Sequence, residues 1–95
     1  CSDLWQREIF GPVVTTMSFK YAHDAIKWAN TSPYGLAASI WTRDLARAHK
    51  VSAALQVGTV WVNTWSLRDV RMPFGGFKAS GLGREGGEES LRTYT

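Results

Sequence analysis

Apolar runs of strand length alternate along this chain with stretches whose small and apolar residues recur every three to four positions. Val13-Val14-Thr15-Thr16-Met17, bounded by Gly11-Pro12, reads as a strand. Ala22, Ala25, Ile26 and Ala29 then fall at i, i+3, i+4 and i+7, one face of a helix that Pro33-Tyr34-Gly35 ends. Residues 36–41 form a second apolar run. Thr42 is the expected cap of a second helix, with Asp44 in its first turn and Leu45, Ala48, Ser52 and Leu55 on one face. Gly58 breaks that pattern, and Thr59-Val60-Trp61-Val62 reads as a third strand. This order predicts an α/β fold with parallel strands and crossover helices, because parallel neighbours need a connection long enough to carry the chain back.

Residues 63–83 show no periodicity. An irregular stretch of about twenty residues in a compact domain is uncommon and usually functional. It leaves the carboxyl end of the third strand, where open α/β sheets place their ligands, and marks a long active-site loop. Residues 85–95 read as a short helix. Between them stands Gly81-Leu82-Gly83-Arg84-Glu85-Gly86, which fits the G-x-G-x-x-G pattern of dinucleotide-binding turns. That pattern needs a strand before it and an acidic residue about twenty positions on. Neither is present, so a glycine-rich loop entering a helix is the better reading.

The length of 95 residues allows one small domain. No apolar run is long enough to span a membrane, and no basic start precedes an apolar stretch as in a signal peptide. The single cysteine excludes an internal disulfide and favours a reducing, cytoplasmic setting. Net charge is +3, but acids and bases are interspersed; Arg84, Glu85, Glu88, Glu89 and Arg92 read as a mixed solvated face, which argues against a nucleic-acid partner. Most of the five tryptophans are expected in the core or in pocket walls. The start at Cys1 and the end at Thr95 carry no element signals, which suggests a piece of a larger protein.

Several side chains invite a chemical role. Arg68, Asp69 and Arg71 meet in the long loop. An arginine at a pocket mouth can take a carboxylate with two parallel hydrogen bonds, while the plain alternative is a surface ion pair with Asp69. Glu8 and Phe10 precede a Gly-Pro turn that can present them to a sugar hydroxyl pair and a flat ring, or can simply place Phe10 in the core. Cys1 lacks the base and scaffold that a nucleophile needs. His23 and His49 read as ordinary surface histidines, and no His/Cys/Asp/Glu cluster suggests a metal site.

Glu8-Ile9-Phe10-Gly11-Pro12, Tyr34-Gly35-Leu36, Gly58-Thr59-Val60-Trp61-Val62-Asn63, and Pro73-Phe74-Gly75-Gly76 followed by Ser80-Gly81-Leu82-Gly83-Arg84-Glu85 occur in this order. Together they resemble the C-terminal part of the catalytic domain of NAD(P)-dependent aldehyde dehydrogenases. The resemblance implies that residues 1–95 are a fragment of that domain, without the Rossmann domain, the catalytic cysteine and glutamate, or the oligomerisation strand. It implies NAD as cofactor, with NADP left open, a small aldehyde as substrate, and a homo-oligomer for the full-length enzyme. In that family a cysteine thiolate attacks the aldehyde, hydride passes to the nicotinamide, and a glutamate-activated water hydrolyses the thioester. None of these catalytic residues matches a position here, so the chain alone is expected to be inactive.

The resemblance also implies roles by position. Glu8 matches the carboxylate that holds the nicotinamide ribose, Phe10 the aromatic against the nicotinamide ring, and Phe74 a wall of the aldehyde tunnel. Asn63 matches an asparagine that holds the loop. Arg68 falls where a pocket-lining side chain is expected, and its charge points to an anionic substrate; Arg71 either assists or pairs with Asp69. Arg7 and Thr31-Ser32 depart from the family's usual residues without touching a proposed contact. The stretch from Val62 to Gly76 is similar to the 2-hydroxymuconic and 2-aminomuconic semialdehyde dehydrogenases of aromatic compound breakdown. The alternatives are a dehydrogenase for another anionic aldehyde, such as 5-carboxymethyl-2-hydroxymuconic semialdehyde, or a non-catalytic remnant.

Overall fold

The computed structural model describes residues 3–95. After a single turn of 3-10 helix, Asp3–Gln6, the chain is irregular until helix α1, Ala22–Thr31. Ser32 ends α1 in an extended conformation, φ −58° and ψ 139°. The proline that follows disfavours a helical conformation there. Strands β1, Tyr34–Gly35, and β2, Ala37–Ile40, come next. Helix α2, Leu45–Ala54, carries the chain over to β3, Thr59–Val62. A two-residue strand β4, Phe77–Lys78, and helix α3, Gly87–Tyr94, complete the order.

Strands β2 and β3 pair in parallel, Ala37 opposite Thr59 through Ile40 opposite Val62, with α2 as the crossover. This is the predicted strand–helix–strand unit. Ala48 on α2 is buried, as expected for the apolar face of a crossover helix. The Asn30 side chain joins α1 to the end of α2 and the residues after it: Asn30 Nδ2 donates to the Ala54 carbonyl at 2.8 Å, and Gln56 N–H donates to Asn30 Oδ1 at 2.9 Å.

Three sequence expectations need correction. Residues 13–17 join no ladder; β-branched composition fits a pleated, half-covered surface, and no described strand lies beside this one to supply it. The cap of α2 is Asp44, whose Oδ1 accepts from Arg47 N–H at 3.0 Å. Thr42 stands two residues too early and instead accepts from Asp44 N–H at 3.2 Å. The tryptophans lie in the core or in pocket walls as expected, except the exposed Trp65: Trp61 is buried, Trp41 lines one groove, and Trp5 and Trp28 line another. Arg84 leaves the solvated face assigned to it and donates from Nη1 to the carbonyls of Gly76 and Gly83, both at 2.9 Å.

The loop over residues 63–83 is not structureless. Strand β4 pairs antiparallel with β1, Tyr34 opposite Lys78 and Gly35 opposite Phe77. Phe74 and Glu85 exchange backbone hydrogen bonds, both 2.7 Å. These partners lie far apart in sequence, so they leave no local period to read. Glycine is required where the backbones close up. A Cβ on Gly58 would stand 1.7 Å from the Gly75 carbonyl oxygen. Gly86 has φ +80°, and its Cβ would fall 2.8 Å from the Val70 carbonyl oxygen. The GLGREG segment is a return run beside Phe74 that enters α3; contrary to the sequence reading a strand does precede it, the two-residue β4, but that strand pairs antiparallel with β1 and is not part of the parallel pair.

Candidate functional site

Strand β3 ends where Asn63 turns the chain away at φ +55°. Its side-chain amide closes a reciprocal pair with Thr42: Thr42 N–H donates to Oδ1 at 2.8 Å and Nδ2 donates to the Thr42 carbonyl at 2.9 Å. Asn63 N–H also donates to the Ile40 carbonyl at 2.7 Å. Asn63 thus holds the start of the loop at the carboxyl ends of both parallel strands. Ser39 Oγ fixes the next residue by donating to the Thr64 carbonyl at 2.6 Å.

The loop then folds back over Trp61. The indole N–H donates to the Leu67 carbonyl at 2.8 Å. Trp65 meets Trp61 edge-on, with centroids 5.1 Å apart at 63°, and Phe74 stacks on it at 6.4 Å and 27°. The Arg68 guanidinium carbon lies 4.1 Å over the centre of the Phe74 ring. A guanidinium on an aromatic face is held by the ring quadrupole and keeps its in-plane N–H donors free for an anion.

Asp69 serves the other arginine. Arg71 Nε reaches Asp69 Oδ1 at 2.9 Å and Oδ2 at 3.1 Å, Nη2 bonds Oδ2, and Arg71 N–H donates to Oδ1 at 2.9 Å. The Arg71 guanidinium holds the Asp69 carboxyl below the usual aspartate range, and Asp69 raises Arg71 in turn. Of the two roles open to Arg71, the structure shows the ion pair, and the alternative pairing of Arg68 with Asp69 is not formed. Arg68 has no anionic partner among the described residues.

Glu8 and Phe10 stand on the irregular segment after the first turn, and both are exposed. Phe10 is not in the core: it is 93% exposed and has φ +55°. A bulky residue in that conformation is a backbone outlier, the kind of strain that collects at ligand sites. No described contact joins Glu8 or Phe10 to Arg68, Arg71 or Phe74. Cys1 lies outside the described residues. His23 stacks on Tyr21 and has Nε2 3.1 Å from Asp24 Oδ1, and His49 is exposed. Sequence reading missed the aromatic support beneath Arg68, although Trp61 and Trp65 flank the start of the loop closely enough to have signalled it.

A match to the aldehyde dehydrogenase family spans residues 1–95. The chain belongs to that family. A 2-hydroxymuconic semialdehyde dehydrogenase of Pseudomonas sp. (strain CF600) is 54% identical over 88 residues, covering 93% of this chain and 18% of that protein. An aldehyde dehydrogenase of Aspergillus niger, with no finer substrate in its name, is 57% identical over 90 residues, 95% of this chain and 18% of that protein. The solved betaine aldehyde dehydrogenase of Staphylococcus aureus in complex with NAD+ superposes with a TM-score of 0.91 at 43% identity, covering 97% of this chain and 18% of that one. The α/β architecture described above is therefore that of part of an aldehyde dehydrogenase. The chain spans about a fifth of the length of these relatives. None of the helices among the described residues is long and apolar enough to cross a membrane.

Proposed function

We propose that residues 1–95 form the C-terminal part of the catalytic domain of a longer enzyme, and that this enzyme oxidises an aldehyde to a carboxylate with NAD+. The substrate in this reading is a muconic semialdehyde, which carries carboxylate away from its aldehyde end. One observation carries it: Arg68 is held over Phe74 with no hydrogen-bond or ion-pair partner for its donors among the described residues, while the neighbouring carboxylate is taken by Arg71. In an aldehyde site an unpaired guanidinium favours an anionic substrate, because leaving the donors unmatched against a neutral one gains nothing. Phe74 supports the guanidinium and walls the tunnel. The 54% identity to a protein named for 2-hydroxymuconic semialdehyde agrees with this charge argument, and the 57% identity to an enzyme named only as aldehyde dehydrogenase makes the substrate a question for experiment.

The residues present also fit a nicotinamide cofactor. The exposed, strained Phe10 offers a ring face, and Glu8 two residues earlier offers acceptor oxygens to a ribose diol. When bound, NAD+ supplies the hydride acceptor. The part played by this chain is to orient: Glu8 and Phe10 hold the nicotinamide end, and Arg68 and Phe74 hold the far end of the aldehyde.

The test is NADH formation by the full-length enzyme with 2-hydroxymuconic semialdehyde beside acetaldehyde. A strong preference for the semialdehyde is expected, and Arg68→Ala should lower its kcat/KM by about 10- to 100-fold, the loss of a charge-assisted contact, with little change for acetaldehyde. Equal losses on both aldehydes would remove the carboxylate grip.

A further inference from the structure

We propose that Trp61 is the positioning residue that sets the Arg68 guanidinium for an anionic aldehyde; the inference rests on the reading of Arg68 given above. Two independent contacts of one side chain lead to it. The indole N–H of Trp61 holds the carbonyl of Leu67 at 2.8 Å, and Leu67 is the residue immediately before Arg68. The ring of Trp61 stacks on Phe74, and the Arg68 guanidinium lies on that same Phe74. Trp61 therefore fixes both the backbone from which Arg68 departs and the platform on which its charged end rests.

The support is itself rigid. Trp61 is 9% exposed and is paired in register opposite Ser39 in the parallel sheet. Ser39 in turn holds the loop at Thr64. Arginine has many rotamers, and an exposed one loses that freedom when it binds. A stacked guanidinium on an anchored backbone has lost much of it beforehand, so more of the contact with a carboxylate appears as affinity. Trp61 is buried beneath the loop and acts through Arg68.

The experiment uses the full-length enzyme. Trp61→Phe removes the N–H and keeps an aromatic ring beneath Phe74. Losing one neutral hydrogen bond should lower kcat/KM for the carboxylated semialdehyde about fivefold. The change should lie in KM with kcat retained, so the ratio of semialdehyde to acetaldehyde efficiency falls. In an Arg68→Ala background the same substitution should leave that ratio where Arg68→Ala put it. Phe74→Leu, which removes the platform, should lower the ratio, and Phe74→Tyr, which retains an aromatic face for the guanidinium, should lower it less. If Trp61→Phe fails to fold, the Phe74 pair decides, and an unchanged ratio in Phe74→Leu overturns the inference. Equal losses on both aldehydes in Trp61→Phe would mark a packing role only and also overturn it. An unchanged ratio in Trp61→Phe, alongside a collapsed ratio in Arg68→Ala, overturns the positioning role and leaves the grip of Arg68 standing. An unchanged ratio in Arg68→Ala overturns both.

Discussion

Asp69 binds Arg71 through both carboxylate oxygens, and the charge balance of the loop follows from that choice of partner. A carboxyl whose folded pKa is depressed stabilises the fold fully above its unfolded value, about 3.9 for aspartate, and that contribution is lost as pH falls through the lowered folded value. Arg71 is 86% exposed and Asp69 38%, so water screens the pair and its effect is on titration more than on stability. The Asp69 carboxyl, followed by carbon-detected NMR, should titrate with a midpoint below the ordinary aspartate value, and Arg71→Ala should return it upward. A midpoint that does not move would show that the pair does not form in solution. The presence of two arginines and one acid was legible in the sequence. The partition between them was not, since three neighbouring charges allow either pairing until the backbone turn at Asp69 brings Arg71 N–H onto the carboxylate.

Among the elements, the parallel pair β2–β3 and its crossover α2 were readable because both strands are short, mostly apolar runs and the helix between them repeats small and apolar residues on one face. The end of α1 was readable from Pro33. The cap of α2 was misplaced by two residues, since Thr42 and Asp44 are both good caps by type and only the helix start selects between them. Asp44→Ala should destabilise the full-length protein by about 1 kcal/mol, the usual cost of losing an N-cap, read from denaturant unfolding; an unchanged midpoint would remove Asp44 from the cap. The Val13-Val14-Thr15-Thr16-Met17 run shows the reverse limit. Its composition favours a strand, but a strand is a relation between two segments, and the second is not among the described residues. The pairing of β1 with β4 and of Phe74 with Glu85 escaped notice for the same reason, because nothing in Phe77-Lys78 names Tyr34-Gly35 as its neighbour.

For the molecule as a whole, surface area is the informative quantity. The accessible surface is 7692 Å², whereas a compact monomer of 10.6 kDa exposes about 5,500 Å². The Cα radius of gyration is 14.8 Å, against about 12 Å for a compact chain of this length. Ala48 and Trp61 are the buried apolar residues among those described, and a groove of about 590 Å³ between α1, α2 and β2 is lined by apolar side chains including Ala25, Ile40, Trp41 and Leu55. So much uncovered apolar surface should make the 95-residue chain marginal by itself. Purified alone, it should bind a hydrophobic dye, melt without a sharp transition and form no NADH from aldehyde and NAD+. A cooperative melt with no dye binding would show that these faces need no cover, and NADH formation would show that chemistry needs no further residues. The fastenings of the loop have another use. Asn63 is tied to Thr42, and Phe74 is tied to Glu85 beside the close approach of Gly75 to Gly58, while Trp65, Leu67, Val70 and Met72 between them face outward. For an enzyme engineer this is a cassette with two splice points: if the proposed substrate reading holds, exchanging residues 64–73 between relatives, with Asn63 and Phe74 left in place to seat the insert, should change what the full-length enzyme accepts.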